Sequence, residues 1–65
     1  MAYRESQFRG IDLKAERVRA GLTQRELGAR LGVSAQRIRN VEGEYRPSAR
    51  MVRRILAALL VGDDR

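Results

Sequence analysis

The 65-residue chain contains no cysteine, no histidine and no tryptophan. Without thiols it can build neither a disulfide framework nor a thiolate zinc site. Without imidazole it lacks the side chain most used for proton transfer near neutral pH and for metal ligation. Its aromatics are Tyr3, Phe8 and Tyr45, and Pro47 is its one proline. Long hydrophobic runs are missing too. The longest, Ile55 to Val61, has seven residues, where a membrane span needs about 20. No apolar stretch follows the basic start as in a secretory leader, so a cytoplasmic location and no membrane partner are expected. There is no internal repeat, low-complexity segment or linker, and the length suits one small domain. A domain of this size buries only about 60% of the surface its unfolded chain exposes.

These absences leave catalysis little to work with. Ser34 and Ser48 sit where helix caps belong, Ser6 lies near the start, and no two carboxylates share an obvious cleft. Asp63-Asp64 resembles a metal clamp in composition alone and reads as a solvated tail. No glycine-rich phosphate loop is present. The expectation is a protein that is not an enzyme, with no cofactor, no metal and no small-molecule ligand.

What the chain has in abundance is positive charge. Fourteen basic residues against eight acidic ones give a formal charge of +6 and a pI near 11.3. Every basic residue except Lys14 is arginine. Such a surplus favours a polyanion, either nucleic acid or an acidic membrane surface. It is equally the mark of a merely soluble arginine-rich surface. Charge alone does not separate these.

The most informative stretch runs from Thr23 to Val41. Thr23 and Glu26 have the spacing of a capping box, and Leu27 and Leu31 follow at i and i+4 on one face. Gly32 stands where a helix ends in a left-handed residue. Val33 places an apolar side chain in the turn, and Ser34 caps a second helix carrying Ile38 and Val41 inward. Gly28, with no side chain, allows another helix backbone to approach closely. Two helices joined by so short a link cross steeply, which is a helix-turn-helix.

The spacing of Gln24, Leu27, Gly28, Leu31, Gly32, Val33, Ile38 and Val41 resembles the phage-repressor-like, Cro-type helix-turn-helix family, over about Leu13 to Leu59. The resemblance implies an all-α fold, a four- or five-helix domain that binds operator DNA, usually as a symmetric dimer. The partners it implies are double-stranded DNA with a two-fold symmetric operator and a second copy of the chain.

The rest of the chain fits around this unit. Residues 1–10 lack periodicity and read as an N-terminal arm, either frayed or tracking along DNA with its arginines, while Phe8 is alternatively packed on the body. Asp12 is placed to cap a first helix running to about Ala20, with Leu13, Arg17 and Ala20 on nearly one side. An arginine on that stripe either snorkels outward or joins a buried ion pair. Glu42, beside the inward Val41, is the favoured partner, and the family often places an interhelical pair at these two positions. Gly43 to Pro47 forms a loop that in the family lays backbone N–H groups on a phosphate, with Tyr45 and Arg46 adding to it. Family members often carry Asn-Gly where this chain has Gly43-Glu44.

Ser48 caps a fourth helix to about Leu60. Its apolar residues cover roughly 200° of a helical wheel, about twice the stripe one core needs. Val52, Ile55 and Leu59 are assigned to the core. Leu56 and Leu60, with Met51, are assigned to an isologous dimer contact. The competing idea is that Phe8 and Ile11 fold back over them. The expected architecture is a compact bundle of four short helices over 11–61, a C-terminal tail over 62–65, and no fifth helix.

With Ile38 and Val41 inward, Gln36, Arg39 and Asn40 face outward and Arg37 lies on the flank. Such a face is ordinarily only solvated, but this helix is the one a helix-turn-helix inserts into the major groove. Gln and Asn pair with adenine edges and Arg with guanine, so Gln36, Arg37, Arg39 and Asn40 are the base-reading candidates, with Arg37 alternatively on a phosphate. Ala35, at a family base-contacting position, offers only a methyl for thymine. Thr23, Gln24 and Ser34 at the helix N-termini, with Tyr45 and Arg46, are the backbone candidates. Gln24 matches the family's phosphate-contacting position. The expected function is a sequence-specific transcription regulator, a repressor from a phage or mobile element. The alternative is an antitoxin-like or other protein-interaction module whose DNA binding is autoregulatory. A third class, a basic amphipathic protein on RNA or membrane, fits less well: the arginines spread over several helices and no aromatic lies on the reading face.

Overall fold

The computed structural model describes residues 8–61, the side chain of Val61 excepted. Four helices follow one another: α1 (Gly10–Arg19), α2 (Gln24–Leu31), α3 (Ala35–Glu42) and α4 (Ala49–Val61). α2 packs on α3 and α4, and α1 packs on the same two helices. Leu13, Leu27, Ile38, Val41, Val52 and Ile55 are fully buried at the centre, with Phe8 and Met51 beside them.

Local chemistry sets most of the boundaries. Thr23 caps α2 reciprocally: Glu26 N donates to Thr23 Oγ1 at 3.0 Å and Thr23 N donates to Glu26 Oε1 at 2.8 Å. Gly32 closes α2 at φ 77°, a left-handed conformation that costs glycine little. Ser34 caps α3 by accepting from Arg37 N at 3.0 Å, and Ser48 caps α4 by accepting from Met51 N at 3.2 Å. The start of α1 differs from the sequence expectation. Its N-cap is Arg9, and Asp12 sits three residues inside, accepting from Arg9 N at 2.9 Å. A carboxylate satisfies an orphan N–H as well from the first turn as from the cap itself.

The tight turn between α2 and α3 depends on Gly28. A Cβ there would lie 2.6 Å from the carbonyl oxygen of Val33, so the close approach is made by the turn backbone rather than by another helix. Val33 N donates to Gly28 O at 2.9 Å and fixes that contact.

Packing departs from the sequence expectation at several further positions. Of segment 1–10, read as an arm, residues 8–10 lie on the body: Phe8 is buried and Gly10 N donates to Glu44 O at 2.9 Å. The remaining arm residues, like the tail 62–65, lie outside the described residues. Met51, assigned to a dimer contact, is only 7% exposed and belongs to the core. At 100° per residue the core direction of α4 falls midway between Val52 and Ile55, and Met51 lies about 70° from it. Leu60 lies about 110° away and is 85% exposed. Leu59, assigned to the core, is only partly buried against it. Ala20 is exposed as the C-cap of α1.

The charged centre of the fold is Arg17. Its Nε donates to Glu42 Oε2 at 2.6 Å and its Nη2 to Oε1 at 3.2 Å, while Nη1 donates to Leu22 O at 2.7 Å. Both side chains are more than nine-tenths buried. Arg17→Ala therefore strips the fork from a buried carboxylate and is expected to cost about 3 kcal/mol in denaturant unfolding. A loss below about 0.5 kcal/mol is what a solvated surface pair would give.

Candidate nucleic-acid interface

α3 is held from behind and open in front. Ile38 and Val41 are fully buried, which turns Gln36, Arg37, Arg39 and Asn40 to the exposed side. Gln36 Nε2 donates to Asn40 Oδ1 at 2.9 Å. The two amides thus form one unit along the helix, with Gln36 Oε1 and three amide hydrogens left for a ligand. Ala35 is half-buried at the start of the helix.

The backbone candidates fall into two groups. Thr23 and Ser34 are exposed at the N-termini of α2 and α3. Each hydroxyl oxygen accepts from its own helix, which leaves its O–H free to donate outward. Gln24 is engaged inside the protein: its Nε2 donates to Glu42 Oε1 at 3.0 Å. One amide hydrogen of Gln24 therefore serves the ion pair, and the second remains for an anion at the helix start.

The second group is the loop between α3 and α4. Tyr45 is 65% exposed, and its ring carries two guanidiniums, Arg9 at 4.9 Å and Arg46 at 5.8 Å from the centroid. Stacking on a ring restrains a long side chain without neutralising it. Arg9 was legible in sequence only as one of several scattered arginines. No local spacing links it to Tyr45, and its place follows from the docking of Gly10 on Glu44.

Other arginines do structural work that the sequence did not signal. Arg54 Nη2 donates to Leu31 O at 2.9 Å, at the carbonyl end of α2, where a cation suits the helix dipole. Arg30 Nη1 donates to Ala58 O at 3.1 Å. Leu56 and Leu60 line an open apolar groove of about 400 Å³ together with Phe8 and Leu59, with Glu16 and Arg19 also on its lining. Phe8 takes up part of the second apolar side of α4, while Ile11 stays 67% exposed. Among the described residues no helix is long and apolar enough to cross a membrane.

Two capped helices are thus joined by a glycine-dependent turn, and the second carries an outward polar face. The sequence pattern of the helix-turn-helix family matches residues 13–64. The chain belongs to that family, in its Cro-type branch. No curated protein and no solved structure matches it significantly. Membership makes this domain a DNA-binding transcription regulator of the Cro type, with double-stranded DNA as the partner.

The helix-turn-helix domain is therefore expected to bind duplex DNA with a steep salt dependence, because each phosphate contact displaces counterions. Dissociation constants measured across a salt series check this. A flat response would argue that arginine is not placed on phosphate.

Proposed function

We propose that this helix-turn-helix protein is a sequence-specific repressor of phage or mobile-element origin, acting in the cytoplasm as a homodimer on a two-fold symmetric operator. The observation that carries the reading is the exposed face of α3, where Gln36, Arg39 and Asn40 stand clear of the core. A planar amide bonds adenine N6 and N7 together, and a guanidinium bonds guanine O6 and N7. The Gln36–Asn40 hydrogen bond supports this, since it aligns one amide by the other before a base arrives. Thr23, Gln24, Ser34, Tyr45 and Arg46 set the register on the backbone.

Dimerisation draws on Leu56 and Leu60. A leucine that is 85% exposed beside an apolar groove is an unusual expense for so small a domain. Isologous contact through this groove would cover it and give the two half-sites their symmetry. Sedimentation of the wild type and of Leu60→Glu is expected to show a dimer lost in the variant. A folded wild-type monomer at high concentration would end the dimer assignment.

Specificity has its own test. Gln36→Ala and Arg39→Ala are each expected to cost about 1–3 kcal/mol on the cognate duplex and to relax preference at one position per half-site. Gln24→Ala and Arg46→Ala are expected to weaken cognate and random duplexes alike. All four are titrated on both duplexes at one salt concentration. Equal losses on both duplexes for Gln36→Ala and Arg39→Ala would show that α3 does not read bases.

A further inference from the structure

Between α3 and α4 lies a polar notch of about 290 Å³, lined by Arg37, Ser48, Arg50, Met51 and Arg54. Arg50 and Arg54 are one turn apart on α4, and Arg37 faces them from α3. Three arginines thus line one cavity whose lining contains no acid. The acids of the described residues are engaged elsewhere, with one exception. Asp12 accepts from Arg9 N, Glu16 from Arg19, Glu26 from Thr23 N, and Glu42 from Arg17 and Gln24. The exception, Glu44, sits on the loop and does not line the notch. Among the described residues, none of the three notch arginines forms an ion pair.

We propose that this notch is a phosphate-binding site and that its occupant is a backbone phosphate of duplex DNA. The proposal rests on the DNA-binding reading, extends it to Arg50 and Arg54, and takes the phosphate alternative for Arg37. Like charges gathered without a counter-charge repel one another, and an anion relieves all three repulsions at once. Guanidinium is the side chain best shaped for that anion, since its planar fork bonds two phosphate oxygens together. Arg54 is held in place by its bond to Leu31 O, with further N–H groups still to offer. Ser48 Oγ accepts from Met51 N, so its hydroxyl hydrogen also remains for an oxygen in the notch. The volume accommodates several waters at about 30 Å³ each, and hence one solvated phosphate group.

Position favours DNA over a free ion. Arg37 is on the helix that carries the base-reading candidates, one residue from Gln36, so a phosphate in the notch would lie beside the groove that α3 enters. A contact here would fix the rotation of α3 about its axis, because it ties the flank of the reading helix to the backbone through two helices.

The test compares Arg37→Ala, Arg50→Ala and Arg53→Ala on duplex DNA across a salt series. Arg53 is an exposed arginine of the same helix outside the notch, so it controls for net charge. Arg37→Ala and Arg50→Ala are each expected to lower the magnitude of the log–log salt slope by about one. They should weaken cognate and random duplexes several-fold alike, whereas Arg53→Ala keeps the wild-type slope. Circular dichroism melts check that the variants fold. A second arm titrates the wild type with inorganic phosphate against chloride at equal ionic strength, reading amide NMR shifts at Arg37, Ser48 and Arg50. Notch variants that match Arg53→Ala in slope overturn the DNA assignment. Phosphate-specific shifts lost in Arg50→Ala would then identify a free-phosphate site instead. If the wild type binds no duplex, the DNA-binding reading itself fails. The phosphate titration then judges the notch alone, and an absence of shifts overturns it as well.

Discussion

The arrangement of the helices depends on the contact between Arg17 and Glu42. Glu42 presents its two oxygens to three donors, Arg17 Nε, Arg17 Nη2 and Gln24 Nε2, and the remaining Arg17 bond goes to Leu22 O. One buried pair therefore joins α1, the connection to α2, the first residue of α2 and the last residue of α3. No buried side-chain polar atom among the described residues is left without a partner, which is the condition under which a buried pair holds rather than weakens a core. An apolar replacement of similar volume would fill the same space. It would not fix where α3 ends relative to where α2 begins, and that relation sets the angle at which α3 projects.

The opposite end of the helix-turn-helix is fixed by backbone rather than charge. Gly28 lets the Val33 carbonyl come within a distance that no Cβ tolerates, and Gly32 reverses the chain at positive φ. α3 is thus held at its start by a steric constraint and at its end by a carboxylate. Between these points Ile38 and Val41 anchor its inner face. The outer residues make no contact that the fold requires, which leaves them open to a ligand.

Much of this was legible from the sequence because it is local. The Thr23–Glu26 capping box, the Gly32 stop and the Ser34 and Ser48 caps each involve residues within four positions, where spacing alone fixes geometry. The Arg17–Glu42 contact spans 25 positions, and was reachable only through helical faces and the family resemblance. What stayed hidden has no periodic signature. Arg9 reaches Tyr45 because Gly10 docks on Glu44, a contact between segments distant in sequence. Met51 was misassigned because a wheel shows how wide an apolar face is without showing which part of it the neighbours cover. The notch arginines belong to two helices whose mutual orientation no spacing encodes. In the base-reading candidates, sequence showed which side chains face outward but not that Gln36 and Asn40 bond to each other.

The charge surplus also acquires a structural explanation. Taken as a count, fourteen bases against eight acids says only that the chain is basic. The structure shows where the acids act. Asp12 and Glu26 satisfy the N–H groups that open α1 and α2, and Glu42 holds the buried core pair. Glu16 pairs with Arg19 on the surface, a contact of small energetic weight. Among the described residues, Asp12, Glu26 and Glu42 thus commit their charge to starting helices and joining them, while Glu44 stays exposed on the loop. Arg37, Arg39, Arg46 and Arg50 are left on the exposed side without described carboxylate partners. A sequence with the same net charge but acids interleaved on α3 and α4 would fold by the same rules and present a neutralised face. Here the acids that open α1 and α2 and join α1 to α3 lie away from the exposed side of α3, which is left positive.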